Sequence, residues 1–488
     1  MTKTTRCFII IYKITTGFFY RLYGSHQMIR FASKDLDDWL LNPNRKPMVI
    51  RGARQVGKTW IVRDLAIRNK YKLIELNFER LPSLSDLFAE NDPAEILKNI
   101  EAEFATSIES DSSLLFLDEI QAAPHLFSKL RWFREDMPEL PIIAAGSLLD
   151  FSLSKHQYSV PVGRITYFHL EPMSYLEFLV ATGNHALRTK LSSTSPVTKL
   201  PDSLHEKCLN LYYDYCLVGG MPEVVQEWIN SKNLQSCLKI QQDLLATYRD
   251  DFHKYGGEIE AGLLSRILLS VAEQLGNKFV YSRADSAKNV VKIKSALTIL
   301  DQARVCAKVL HTAGNGLPLG AESNEKFFKA TMVDIGLVSA QMGLSLTSRR
   351  ESKKIIFSNR GGLAEQFVGQ QLRAAQAPLA EPRLYYWQTT GGRQGEIDYI
   401  IQYANRVVPV EVKSGAAGSL KSLHMFMANK GLDFALRCNI SQPSLENIGV
   451  KTTLGQPVSY RLLSIPLYLT ERLDDLIEYS LKHSILPL

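Results

Sequence analysis

Residues Gly52, Ala53, Arg54, Gln55, Val56, Gly57, Lys58 and Thr59 spell G-x-x-x-x-G-K-[ST], directly after the apolar run Met48-Val49-Ile50. The glycines let the backbone curl until its N–H groups face phosphate oxygens, and the helix expected to follow adds a positive end. In such a loop Lys58 reaches the β- and γ-phosphates and Thr59 ligates Mg²⁺. Further on, Leu114 to Leu117 form an apolar strand ending in Asp118 and Glu119. Asp118 is placed to hold the metal, directly or through water, and Glu119 to polarise an attacking water. Lys58 and Glu119 are thus the candidate catalytic residues. A strand that merely ends in two acids is the plainer alternative. Ser147 follows the strand Ile142 to Ala145, where a polar sensor of the γ-phosphate is needed, although a serine there also serves as a simple cap. ATP and Mg²⁺ are the expected ligands. No Asn-Lys-x-Asp follows Asp118, which favours adenine over guanine.

A second constellation lies near the C-terminus. Gly395-Glu396-Ile397-Asp398-Tyr399-Ile400 is followed by Val408-Pro409-Val410-Glu411-Val412-Lys413. Alternate residues of a strand share a face, so Glu411 and Lys413 point one way, as do Glu396 and Asp398. Paired as a hairpin, the two strands bring Asp398, Glu411 and Lys413 together, with Glu365 on the preceding helix close by. Asp398 and Glu411 form a candidate second metal site, and Lys413 could position a water or stabilise developing charge. The pattern is that of a PD-(D/E)xK nuclease, with Ile397 where a proline is usual. Three outcomes stay open: an active nuclease, a degenerate one used for binding, and an edge hairpin with a solvated charged face.

The residues Gly52 to Thr59, Phe116-Leu117-Asp118-Glu119-Ile120-Gln121, Ala145-Gly146-Ser147, Gly163-Arg164 and Leu170 to Phe178 together resemble prokaryotic AAA+-type ATPases with a C-terminal domain of unknown function. The resemblance covers most of the chain from about Met28. It implies an ATP-binding P-loop core, a winged-helix-like middle and a C-terminal restriction-endonuclease-like region. It leaves the biological role open. In that setting Arg164 could contact a γ-phosphate in cis or from a neighbouring copy in a homo-oligomer. An arginine in a surface ion pair is the favoured alternative.

The elements that must position these residues are readable in outline. Strand-like runs at Met48–Ile50, Leu73–Phe78, Leu114–Leu117 and Ile142–Ala145 alternate with helices at Lys58–Asn69 and Pro93–Ala105, which implies an α/β unit with a parallel sheet. Residues Ser203 to Asp250 read as helical, broken at Gly219, Gly220 and Pro222. Helices at Leu263–Leu275 and Val291–Ala303, then Val305–Leu310, a turn at Gly314–Gly316 and Phe327–Val333, outline a winged helix, an outline many α+β domains share. Lys278, Arg283, Lys288, Lys292 and Lys294 there could track the phosphates of DNA, or simply form a solvated face. The segment Thr347–Asn359 is expected to be a loop. A helix at Leu363–Ala375 precedes strands Leu384–Trp387, Ile397–Ile401 and Val407–Val412. Tyr386 and Trp387 are expected in the core rather than stacked on bases.

The division that follows is an N-terminal extension at 1–27, a P-loop domain at 28–200, a helical and winged-helix-like region at 201–345 and a nuclease-like α/β domain at 346–488. At 488 residues the chain is long enough for two to four domains, and 22% charged residues with 45% apolar ones exclude a disordered or fibrous chain. Lys+Arg 57 against Asp+Glu 50 gives +7, compatible with nucleic acid without requiring it. Six cysteines without a CxxC pair suit a reducing compartment, and the expected location is cytoplasmic. Lys13 breaks the apolar stretch at residues 7–12, so neither a signal peptide nor a membrane span is expected.

Two functions fit this frame. One is a Mg²⁺-dependent ATPase whose nucleotide state controls a DNA-binding, and in its strongest form DNA-cleaving, C-terminal half. The other is an ATP-controlled binding or regulatory module in which the nuclease-like fold only docks.

Overall fold

The structure is a computed structural model that describes residues 28–147, 149, 161, 163–255, 259–287, 289–344, 351, 361–389, 395–415 and 418–483. The N-terminal extension, Lys288 and nearly all of the loop expected at 347–359 lie outside the described residues. The chain divides into two compact units, one of residues up to Leu170 with Ala377–Glu381, the other of Glu171–Gln376 with Pro382–Leu488.

In the first unit helix α1 (Ser33–Leu41) leads into β1 (Met48–Arg51), α2 (Lys58–Arg68), β2 (Lys72–Asn77), α3 (Pro93–Phe104), β3 (Ser113–Asp118), α4 (Lys129–Asp136), β4 (Ile142–Ala145) and β5 (Thr166–His169). All five strands pair in parallel, in the order β2-β3-β4-β1-β5. Every residue of β3 and β4 is buried. Helices cover both faces of such a sheet, so its central strands read as unbroken apolar runs instead of alternating. Asp92 accepts the Ala94 N–H and Pro93 takes the first helical position, which starts α3 cleanly. One consequence matters for chemistry: parallel strands end together. Asn77 lies in register with Asp118, and Asp118 with Ala145, so the residues after β1, β2, β3 and β4 share one edge.

The second unit opens with α5 (Tyr175–Ala181), α6 (His185–Ser192), α7 (Asp202–Val218), α8 (Pro222–Ser231), α9 (Leu234–Tyr255), α10 (Ala261–Glu273), α11 (Tyr281–Ala284) and α12 (Val290–Gln302). It continues with β6 (Cys306–Thr312), β7 (Ser323–Met332), α13 (Ile335–Gln341), α14 (Gly361–Ala374), β8 (Leu384–Gln388), β9 (Glu396–Tyr403), β10 (Arg406–Val412), α15 (Lys421–Lys430), β11 (Phe434–Asn439), β12 (Ser444–Lys451), β13 (Pro457–Pro466) and α16 (Leu473–Lys482). The eight strands form one mixed sheet, β12-β13-β11-β10-β9-β8-β6-β7. The β6–β7 hairpin, expected to belong to a middle region ending at 345, is therefore the edge of the sheet that also carries β9 and β10. Parallel pairing of Val309 to His311 with Leu384 to Tyr386 makes the join. Tyr386 and Trp387 are buried, with Trp387 edge-on to Phe426 at 4.8 Å.

The motif Leu170 to Phe178 has a structural role here. Ser174 and Glu177 form a reciprocal capping box at the start of α5. Glu171 grips Arg373 at 2.7 Å, and the Tyr175 N–H donates to Gln371 at 2.8 Å. A second knot is Asp334, wholly buried. Its carboxylate accepts from Gly220 N at 2.6 Å, Gly336 N at 2.9 Å, Leu337 N at 3.1 Å and Gln370 Nε2 at 3.0 Å. A side chain on Gly219 would bring its Cβ within 2.1 Å of the same carboxylate, so the break between α7 and α8 requires glycine. Asp334→Ala strands four buried donors and should destabilise the protein by about 3–5 kcal/mol in urea unfolding. A loss under about 1 kcal/mol would mean water replaces the carboxylate.

Candidate functional site

The loop between β1 and α2 takes a shape few sequences allow. Gln55 and Gly57 have φ of 64° and 98°, the left-handed region, and at Gly57 glycine carries no penalty. Alternation of left- and right-handed residues turns successive N–H groups to one side, forming a concave anion cradle. At Gly52 an added Cβ would stand 2.4 Å from the Leu170 carbonyl, so that position has no room for a side chain.

Lys58 begins α2 and is only 7% exposed. Its Nζ donates to the Gly52 and Ala53 carbonyls at 3.1 and 2.9 Å, folding back over the loop. Burial lowers its pKa to about 8, with Glu119 and Asp118 opposing the fall. Thr59 Oγ1 lies 3.3 Å from both carboxylate oxygens of Asp118. A hydroxyl and a carboxylate converging this way are the oxygen donors that suit Mg²⁺. Burial first, then the charges of Glu119 and Glu75, push Asp118 up to about 6.

Glu119 also sits in the left-handed region, at φ 52°, which turns the chain sharply out of β3. Gln121 Nε2 donates to its carboxylate. Ser147 is buried at the end of β4, and its hydroxyl lacks a hydrogen-bond partner among the described residues. An unpaired buried hydroxyl beside the loop and the Asp118 strand end is what a bound phosphate oxygen would satisfy. Arg164 does not join this group through any described bond. It pairs with Glu135 at 2.8 Å on the surface, as the ion-pair alternative expects.

Two neighbours were not singled out from the sequence. Asn77 Nδ2 donates to Asp118 Oδ2 at 3.0 Å and fixes the carboxylate opposite Thr59. Gln121 restrains Glu119. Asn77 is a polar residue at the end of β2, a signal visible in retrospect, whereas Gln121 lies inside the Asp-Glu-Ile-Gln motif with nothing in the sequence to mark its contact with Glu119.

The C-terminal constellation assembles around β9. The antiparallel register Val410↔Tyr399, carried one step further, sets Asp398 opposite Glu411, and the Val412 N–H donates to Asp398 Oδ2 at 2.8 Å. Lys413 Nζ lies 2.5 Å from Glu411 Oε1. Among the described residues, three carboxylates have oxygens within 4.8 Å of one another: Glu365, Glu396 and Asp398. At their centre stands a residue that sequence reasoning missed. Lys329 of β7 is 2.9 Å from Glu365, 2.5 Å from Glu396 and 3.5 Å from Asp398. Burial would pull this ammonium's pKa down, but the three carboxylates hold it well above its ordinary value. Burial first, then the Asp398 charge, pushes the Glu365 and Glu411 carboxyls above their ordinary values, against the pull of Lys329 and Lys413.

The Asp118 carboxyl, moved from 3.8 to about 6, stores about 3 kcal/mol against the fold at neutral pH, at roughly 1.4 kcal/mol per pH unit. Because the folded pKa is the higher one, this cost is full above about pH 6 and fades as pH falls towards 3.8. Asp118→Asn, which still accepts from Asn77, should therefore melt higher than the parent at pH 7.5. The gap should shrink to about a third at pH 4.5. A variant that melts lower at both pH values would show that the charge is not the strained element.

Residues 44–179 match the family model described as an AAA domain. Residues 209–348 and 360–455 match two domains of unknown function, DUF8612 and DUF4143. No curated protein matches the chain. Among solved structures, the Aeropyrum pernix ORC2 protein in its ADPNP–ADP complexes is 12% identical, over 67% of this chain and 97% of that one, at a TM-score of 0.33. Its ADP form is 14% identical, over 67% and 99%, at 0.30. These likenesses are too slight to bear on the fold or the site. The geometry at Gly52 to Thr59 and Asp118 lies within the segment that matches the AAA domain model, ahead of the two segments that match domains of unknown function.

Proposed function

We propose that this protein binds ATP with Mg²⁺ at the β1–α2 loop and hydrolyses it. The observation that carries the proposal is the convergence of Lys58, Thr59 and Asp118 at one edge of the parallel sheet. The loop N–H groups and Lys58 bind the phosphates, Thr59 and Asp118 hold the cation, and Ser147 meets a terminal phosphate oxygen. Bound Mg²⁺ neutralises phosphate charge. Glu119 accepts a proton from the attacking water, with Gln121 holding its carboxylate in place.

The nucleotide state then controls a nucleic-acid-binding C-terminal part, whose sheet takes in β6 and β7 together with β8 to β13. Helix α10, helix α12 and the β6–β7 hairpin support the winged-helix reading. Lys278 lies over the Phe327 ring at 4.1 Å and Lys294 over Tyr281 at 5.7 Å, and Val291 is 66% exposed beside Lys292. Basic side chains interleaved with aromatic rings suit a phosphate backbone. A neighbouring copy supplying an arginine, and hence a homo-oligomer, belongs to the same proposal.

A second reading, in which the nuclease-like part docks without cutting, draws support from Lys329, which occupies the acidic cluster.

Lys58→Ala should weaken binding of a fluorescent ATP analogue roughly 10- to 100-fold, through loss of charge-assisted bonds. Glu119→Gln should bind as well as the parent yet release phosphate at least about 100-fold more slowly. Unchanged turnover in Glu119→Gln would remove Glu119 as the base. For DNA, Lys292→Ala with Lys294→Ala should weaken binding to any duplex and reduce the slope of log affinity against log salt by about 2. Fluorescence anisotropy at several salt concentrations measures this, and an unaltered slope would move the interface elsewhere.

A further inference from the structure

Lys329 is a charged residue in the buried half of β7, between Phe328 and Ala330, and its side chain is 4% exposed. Burying an ammonium is unfavourable unless partners replace its hydration, and here three carboxylates do so. Glu365 reaches it from α14, and Glu396 and Asp398 from β9. Its three N–H bonds thus have three acceptors. The Tyr386 ring lies 5.5 Å from the ammonium and closes another side. Packing leaves little slack: a Cβ on Gly276 would lie 2.9 Å from Glu365 Oε1 and 2.9 Å from Gly362 Cα.

A divalent cation at this cluster needs oxygen ligands at roughly 2.0–2.6 Å. The oxygens that would supply them are already turned towards Lys329 Nζ, while the second oxygen of Asp398 is held by the Val412 N–H. A metal among Glu365, Glu396 and Asp398 would thus stand almost where the ammonium stands, and two cations at that separation repel strongly in a poorly solvated site. In the nearby Glu411 one oxygen, Oε1, is engaged by its own lysine, Lys413, while Oε2 is buried without a hydrogen-bond partner among the described residues.

We propose that Lys329 is a tethered cation that fills the Glu365–Glu396–Asp398 cluster, so that this part of the chain takes no divalent metal. The proposal deepens the reading of a nuclease-like part that docks without cutting, and rests on it. It replaces the metal pair expected at Asp398 and Glu411 with an internal ion-pair node. It also gives Lys329 a defined substitution phenotype: removing the ammonium opens a metal site.

The test uses the full chain without nucleotide and Mn²⁺ as the probe, followed by the electron paramagnetic resonance of free Mn²⁺. Subtracting the Asp398→Asn titration removes any Mn²⁺ held at Thr59 and Asp118. The parent should show no Asp398-dependent binding at millimolar Mn²⁺. Lys329→Met should gain a single Mn²⁺ per chain, lost again in Lys329→Met with Asp398→Asn, and Mn²⁺ should raise its melting temperature. If Lys329→Met does not fold, Lys329→Met with Glu396→Gln removes one repelling carboxylate and is titrated instead. Failure of the folded variant to gain Mn²⁺ overturns the proposal. Asp398-dependent Mn²⁺ binding by the parent, with supercoiled DNA left intact, also overturns it while the docking reading stands. Nicking by the parent that Asp398→Asn abolishes overturns both.

Discussion

Each unit places a lysine ammonium out of water beside carboxylates, and the surrounding structure must satisfy that arrangement. Two opposed effects act on each lysine. Desolvation favours the neutral amine, and neighbouring carboxylates favour the cation. At Lys58 desolvation wins, and the pKa falls to about 8, because the nearest partners are the neutral carbonyls of Gly52 and Ala53. At Lys329 the carboxylates win, because three of them lie within 3.5 Å. The first lysine is an under-compensated charge that an anion would complete. The second is compensated already.

That difference bears on where strain is kept. Asp118 is held in a raised state, Ser147 lacks a partner and Glu119 sits in a left-handed conformation, all near the end of one sheet. Local rules are broken together there, a pattern that accompanies functional sites. Burial raises the Asp334 carboxyl as well, though its hydrogen bonds pull the other way. It too is a buried carboxylate, but four donors satisfy it, and it fixes the turn at Gly219 and Gly220 to α13 and α14.

Much of the first unit was legible in the chain because local chemistry and local structure coincide there. An apolar run buried on both faces marks a central parallel strand, and the residue after it must stand at the active edge. Ile142–Ala145 was bounded as the structure has it, and the Pro93 helix within one residue. The second unit was legible in α7 to α10, α12, α14 and β8 to β10, but not in α5, α6, α13, α15 and α16 or in its assembly. The pairing of β6 with β8 depends on a register that no local pattern states. Lys329 escaped notice for the same reason. In sequence it is one basic residue in Phe327-Phe328-Lys329-Ala330, and its meaning comes from Glu365 and from β9, far along the chain. Strands β11 to β13 were not assigned at all. Their parallel pairings, β10 with β11 and β11 with β13, join segments that are not hairpin neighbours.

The parallel join of β6 to β8 also sets a timetable. As the chain leaves the ribosome, β6 and β7 can close as a hairpin at once, but the other edge of β6 must wait for Leu384 to Tyr386. At about 5–20 residues per second that wait is on the order of ten seconds. Throughout it, Val309 to His311 present unpaired N–H and carbonyl groups beside an apolar face, the geometry that invites association with another nascent strand. Lys308 adjoins that edge, and a charge so placed discourages such pairing until the rightful neighbour is made.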